Sequence, residues 1–229
     1  MATIRDEEFG DITIRRNSLS KGMKLSIAPN GLLRISMPKY APLFMAKRFI
    51  AASRSAIREL YAADTKQSYF NGMQVGKSHS LSIVESSRLA VKRDGQRIIV
   101  MLPKHHNVDE SSVRTEIHEA ILSALRREAK SYLPKRLAFL AQKHGFSYSQ
   151  VRFSHASSRW GSCSTSGTIS LNIALMTLSY EIIDYVLLHE LAHTVEMNHS
   201  SHFWEIVRSI EPNFKAYRRE LRSLSPTIL

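Results

Sequence analysis

The chain has 229 residues but a single cysteine, Cys163, so no disulfide can form within it. That usage leads us to expect a reduced, cytoplasmic setting. Missing too is any uninterrupted apolar run near the ~18 residues that a membrane-crossing helix needs. The opening MATIRDEEFGDITIRR alternates charges where a secretory leader would carry an apolar core. No membrane partner is therefore expected. Glycine is sparse, with nine residues, and none of them form the phosphate-cradling pattern of a P-loop. There is no low-complexity linker and no solenoid-like repeat.

Positive charge is plentiful except in one place. Lys and Arg total 32 against 20 Asp and Glu, a net charge of +12. Yet between Trp160 and Val207 there is no Lys or Arg, while Glu181, Asp184, Glu190, Glu196 and Glu205 all fall there. A cation-friendly segment thus sits inside a basic protein. The basic remainder suits nucleic acid or another polyanion, and serves equally as a solvated surface.

Apolar residues make up 43% of the chain, enough for a packed core. The segments DITIRR, KLSIA and LLRISM alternate as strands do, with a hairpin signal at Asn30-Gly31. Residues 41–63 have helical spacing. HSLSIV, RLAVKR and RIIVMLP return to strand character, with Asp94-Gly95 as a second hairpin turn. After Pro103, one long helix or two are expected, interrupted near Pro134 and ended by Gly145. Three short strands follow, SQVRFSHA, SRWGSCS and GTISLN, and then helices near 179–197, 201–210 and 213–223. This order is that of an α+β protein, divided near residue 105 into a β-rich part with one helix (1–105) and a second domain (106–229).

The second domain holds His189-Glu190-Leu191-Ala192-His193, an H-E-x-x-H pattern. On a helix, positions i and i+4 share a face, so both imidazoles reach one ion. Ile182 and Val186 precede His189 on the same stripe, which turns the pair inward, where two buried imidazoles need a common partner. A catalytic zinc takes three protein ligands and keeps one open position. His199 follows His189 by ten residues, the spacing of the extended H-E-x-x-H-x-x-G-x-x-H pattern. Glu196 stands where that pattern has its glycine. The turn is then expected at Asn198 in a left-handed conformation, with Ser200 capping the next helix. His202 is the rival third ligand, and Glu196 and Glu205 are weaker candidates. Glu190 lies about 100° around the helix from His189, beside the ion but not on it, which suits a general base. Asp184 and Glu181 could support a ligand imidazole or lie at the surface.

SRWGSCSTSGTISLN, followed by IDYVLLHELAHTVEMNHSSHFW, resembles the YgjP-like metallopeptidase domain, a relative of SprT-type and other minimal zincins. The N-terminal ITIRRNSLSKGMKLSIAPNGLLRISMP resembles that family's opening. The resemblance implies a zincin-like catalytic domain with one zinc ion on His189, His193 and His199 and Glu190 as catalytic base. It demotes His202 to a bystander. It also marks Arg159, Trp160, Gly161 and Ser162 without giving their chemistry. They could bind substrate or an oxyanion, with Gly161 permitting a close backbone approach, or form a structural hairpin with Trp160 in the core. Cys163, Phe203 and Trp204 are expected to pack. The implied reaction is hydrolysis of a peptide or protein. Hydrolysis of a nucleotide such as UTP, and a nucleic-acid-associated module with structural zinc, are the alternatives.

Overall fold

The computed structural model describes residues 2–18, 20, 22–27, 32–65 and 69–226. The fold is α+β. Its first strands are β1 (Ala2–Asp6), β2 (Gly10–Asn17), β3 (Lys24–Ile27) and β4 (Leu33–Pro38), which form one sheet in the order β1-β2-β4-β3. Ile12 and Ile14 of β2 are buried and their neighbours Asp11 and Arg15 are exposed, the period of two that a half-covered sheet requires. The Asn30-Gly31 turn lies outside the described residues, but β3 and β4 on either side of it pair antiparallel as expected.

The helical segment at 41–63 is two helices, α1 (Leu43–Ala52) and α2 (Arg54–Thr65). Ser53 breaks the run, its backbone N–H turning back to the Ile50 carbonyl. Both follow the first sheet, and Ala46, Ile50 and Ile57 share its core with Ile12, Leu33 and Ile35.

A second sheet of β5 (Gln74–Val75), β6 (His79–Glu85), β7 (Ala90–Asp94) and β8 (Arg97–Leu102) has the order β5-β6-β8-β7. Gly95 takes φ +58° in the Asp94-Gly95 turn, where a side chain would be strained. The third sheet, β10-β11-β9, uses β9 (Gln150–Ser154), β10 (Gly161–Cys163) and β11 (Thr168–Asn172). All three sheets share one scheme. Two strands pair in parallel (β2 with β4, β6 with β8, β9 with β11), and the strand made between them flanks the later one antiparallel.

Helix α3 (Ser111–His144) runs unbroken through Pro134. Proline removes the bond to the carbonyl four residues back, which belongs to Lys130, an exposed position. Gly145, at φ +74°, ends the helix as expected. After a 3₁₀ turn (Ile173–Thr177) come α4 (Tyr180–Ala192), α5 (Ser201–Ile210) and α6 (Phe214–Ser223). Ser179 caps α4, its Oγ accepting from Ile182 N at 3.4 Å. Buried apolar residues from Tyr69 to Phe214 make one cluster and those from Ile4 to Ile57 another. The expected boundary at residue 105 crosses the larger cluster, because Leu81, Ile98 and Val100 of the second sheet share it with Val113 and Ile117 of α3. Among the described residues, no helix is long and apolar enough to cross a membrane.

Candidate metal centre and active site

Helix α4 is buried on nearly all sides, between α3, the third sheet, α5 and α6. Ile182, Val186 and Leu187 fix its rotation, and Asp184 clamps it to α3 through a two-pronged ion pair with Arg136, at 2.8 and 2.6 Å. That bond uses the Asp184 carboxylate far from the imidazoles it could have supported. Glu181 is an exposed residue in the helix's first turn. His189 and Glu190 therefore arrive at the far end of a rigid rod.

The helix stops earlier than its sequence periodicity suggests. It ends at Ala192, so His193 is the capping residue, at φ −68° and ψ −15°. Thr194 N bonds Leu191 O, and Val195 N and Glu196 N both bond Ala192 O, which closes the end tightly. Asn198 does not adopt the expected left-handed conformation; no described residue other than glycine has a positive φ. The chain turns instead on side-chain bonds. Glu196 Oε1 accepts from Asn198 N at 3.2 Å, and the Glu196 carbonyl lies 3.0 Å from His193 Nδ1. Ser200 then caps α5 as expected, accepting from Phe203 N.

This turn carries His199 back onto the helix. One ligand-type atom from each of His189, His193 and His199 lies within 4.8 Å of the others. His199 Nε2 is 3.1 Å from His189 Nε2, a separation that calls for a proton or a cation between two ring nitrogens. The bond from His193 Nδ1 to Glu196 O leaves Nε2 of that ring to face the other two. Burial, with His193 and His199 adding to it, pushes His189 down to about 3, and burial lowers His199 as well. Both rings are thus neutral at physiological pH, the form in which imidazole binds a metal. The three residues fit a divalent metal with nitrogen preference.

Phe203 is the floor of this group. It is fully buried, and its ring centroid lies 4.9, 4.4 and 4.8 Å from those of His189, His193 and His199. Trp204 stacks on His199 at 5.6 Å and on Phe214 at 5.6 Å, with the Arg218 guanidinium 4.3 Å over its ring. Both aromatics pack as expected, and both hold the turn. His202 and Glu205 are exposed on α5, 3.9 Å from each other and outside the three-histidine group.

Glu190 also stands outside that group, and its environment explains Gly161. The Glu190 carboxylate lies against the backbone of β10, where a Cβ added to Gly161 would fall 2.6 Å from Oε1 and 2.9 Å from Cδ. What approaches this glycine closely is the carboxylate. Glu190 Oε2 is buried and has no hydrogen-bond partner among the described residues. Burial pushes the carboxyl up to about 8, against the pull of the Arg159 guanidinium.

Two clefts of about 250 and 260 Å³ flank Glu190 and share Arg159, Gly161 and His189. One is walled by Trp160, Tyr185, Val186 and Leu221, and the other by Ser162, Cys163, Met197, His193 and His199. Arg159 is exposed, Trp160 is half-buried against the core, and Cys163 lines the histidine side instead of only packing. Asn172 holds this margin in place, and the sequence reading missed it. It is fully buried, its Nδ2 donates to Ala156 O and Arg159 O, and its backbone N–H donates to Trp160 O. A lone Asn ending an apolar strand was the available signal.

A buried active-site helix whose end gathers three imidazoles beside an unpaired carboxylate is the arrangement of a metal-dependent hydrolase. The chain belongs to the YgjP-like family, whose metallopeptidase-domain model matches residues 21–224. Among solved structures, the metallopeptidase zymogen of Pyrococcus abyssi abylysin matches at 28% identity, covering 39% of this chain and 91% of that one with a TM-score of 0.37. A comparison with curated proteins finds no match.

Proposed function

We propose that this protein is a zinc peptidase in which His189, His193 and His199 hold one zinc ion and Glu190 is the general base. The convergence of the three ring nitrogens beside the buried, unpartnered Glu190 Oε2 supports this reading. A zinc ion there would supply a Lewis acid and bring the pKa of water near ~7. The Glu190 carboxyl, which burial pushes towards its neutral form, would be drawn back towards the ionised state beside that charge. Glu190 then accepts the proton of the attacking water at its free oxygen and delivers it to the leaving amide nitrogen.

Strand β10 is an edge of its sheet and, among the described residues, pairs only with β11. An extended peptide can pair with that edge and lie with its scissile bond between the two clefts, next to Glu190. Arg159 faces both clefts and is the group we assign to the developing oxyanion. Trp160 walls the apolar side, and Gly161 and Cys163 turn their backbone groups to the open edge, because Trp160, Ser162 and Ser164 are in the phase that bonds to β11. Hydrolysis of a nucleotide such as UTP has less support: among the described residues Arg159 is the only Lys or Arg lining either cleft, where a triphosphate asks for several cations. A nucleic-acid module with structural zinc would need a closed fourth ligand, and the described residues offer three.

The test is metal content and turnover of casein and of UTP by wild type, Glu190→Gln and His199→Ala. We expect one zinc per chain in wild type and Glu190→Gln, casein cleavage reduced at least ~100-fold in Glu190→Gln, and zinc lost from His199→Ala. Residual turnover within about tenfold of wild type in Glu190→Gln overturns the base assignment. Full zinc in His199→Ala overturns the ligand set. UTP turnover without proteolysis overturns the substrate class.

A further inference from the structure

A cavity of about 360 Å³, larger than either cleft beside the histidines, opens where the second sheet, α3 and the start of α4 meet. That volume is enough for a small organic molecule. Tyr180 forms part of its wall, and His189 follows nine residues later on α4. At 1.5 Å per residue the two are roughly 13 Å apart along the helix, so a ligand here does not touch the metal centre.

The floor is a buried carboxylate with its bonding capacity taken up. Glu128 of α3 accepts from Lys77 N at 2.7 Å, Ser78 N at 2.9 Å, Ser78 Oγ at 2.7 Å and His79 Nδ1 at 2.6 Å. Both Glu128 and His79 are buried. The turn that supplies these donors starts at Gly76, whose φ of +64° and lack of a side chain allow Glu128 Oε2 to sit where a Cβ would be 2.3 Å away. So much bonding fixes the turn and sets the position of the Lys77 side chain.

Three cations line the space above that floor. Lys77 Nζ donates to the Leu178 carbonyl and lies 4.5 Å from the Tyr180 ring centroid. An ammonium has three donors, so this leaves bonding capacity towards the cavity. Arg93 in the β7–β8 hairpin uses one nitrogen on Gly95 O, at 2.8 Å, and has no other hydrogen-bond partner among the described residues. Arg127 on α3 is exposed and makes no hydrogen bond or ion pair among the described residues. The opposite wall is aromatic, with Tyr132 and Tyr180 at 5.4 Å between ring centroids and tilted 55° to one another, and the buried Met176 lines it too.

We infer that this cavity binds a small organic anion, its phosphate or carboxylate group held by Lys77, Arg93 and Arg127 and its apolar body packed against Tyr132 and Tyr180. Guanidinium forks match the oxygens of both groups, and the tyrosine faces supply the contact area that an inorganic ion could not use. The site is independent of the peptidase reading.

Titration calorimetry on the zinc-loaded protein tests it with phenyl phosphate, benzoate and neutral benzyl alcohol. We expect saturable one-to-one binding of at least one of the two anions, with their relative affinity separating a phosphate site from a carboxylate site. Benzyl alcohol should not bind. Arg127→Ala and Arg93→Ala, both at exposed positions, should each weaken the anion at least about tenfold. Arg159→Ala, at the metal clefts, should leave it unchanged. Absence of saturation by either anion up to about 10 mM overturns the proposal. So does weakening by Arg159→Ala with Arg127→Ala silent, because the anion would then sit at the metal.

Discussion

Replacing Gly161 by alanine separates the geometry of the Glu190 carboxylate, the proposed base, from the stability of the fold. The new methyl would lie 2.6 Å from Glu190 Oε1 and 2.9 Å from its Cγ and Cδ, whereas ordinary contact begins at 3.4 Å. The carboxylate must therefore retreat by roughly 0.8 Å, and a displacement near 1 Å costs on the order of 10²-fold in rate. Gly161 has no positive φ, so its backbone already suits alanine. The unfolded chain loses freedom at the same time, a stabilising effect of about 0.4–1 kcal/mol. Casein cleavage by Gly161→Ala should thus fall about 10- to 100-fold, or about 1.4–2.7 kcal/mol of transition-state stabilisation. Zinc content should match wild type, and the melting temperature should stay within about 4 °C of it. In a Glu190→Gln background the same substitution should cost nothing further. Wild-type turnover in Gly161→Ala, or a loss accompanied by loss of zinc, would refute the claim that this glycine exists to admit the carboxylate.

Phe203→Ala removes the floor under all three imidazoles. It should cost about 3–5 kcal/mol in urea unfolding and weaken zinc binding; unaltered zinc affinity would show that the turn positions His199 without it. Glu128→Gln should destabilise the protein by about 2–4 kcal/mol at pH 7, because it breaks a buried, fully donated carboxylate. Burial alone would raise the Glu128 carboxyl, but the donors from Lys77, His79 and Ser78 outweigh it and hold it below the usual range. The stabilisation is therefore complete above the unfolded value near ~4.3 and is lost as pH falls through the lower folded value. The stability gap between Glu128→Gln and wild type should close on acidification below about pH 4, and a gap constant down to pH 2 would contradict it.

The three histidines were legible because helical spacing and a ten-residue return are local patterns. Their turn was not. The sequence suggested a left-handed Asn198, but the structure uses the Glu196 side chain and carbonyl, a solution that depends on where the His193 ring already points. Gly161 could be read as a point of close approach, yet its partner lies 29 positions later and no local signal names it. The break at Ser53 was hidden because apolar spacing continues on both sides. Pro134 looked like an interruption and is not one, since only tertiary placement reveals that the orphaned carbonyl belongs to an exposed residue. Strands were legible as alternating runs, but the parallel pairings were not, because an intervening strand separates their members.

Those pairings also set an order of assembly. In each sheet the strand that emerges last, β4, β8 or β11, is the one that bonds to the two strands made just before it. Until it arrives, β2 and β3, β6 and β7, or β9 and β10 have no ladder to one another. During synthesis the chain therefore passes three points, at Pro38, Leu102 and Asn172, before which a sheet cannot close and after which it can do so at once. The third point comes just before α4. The edge against which Glu190 packs is thus complete before the helix that carries Glu190 has been made.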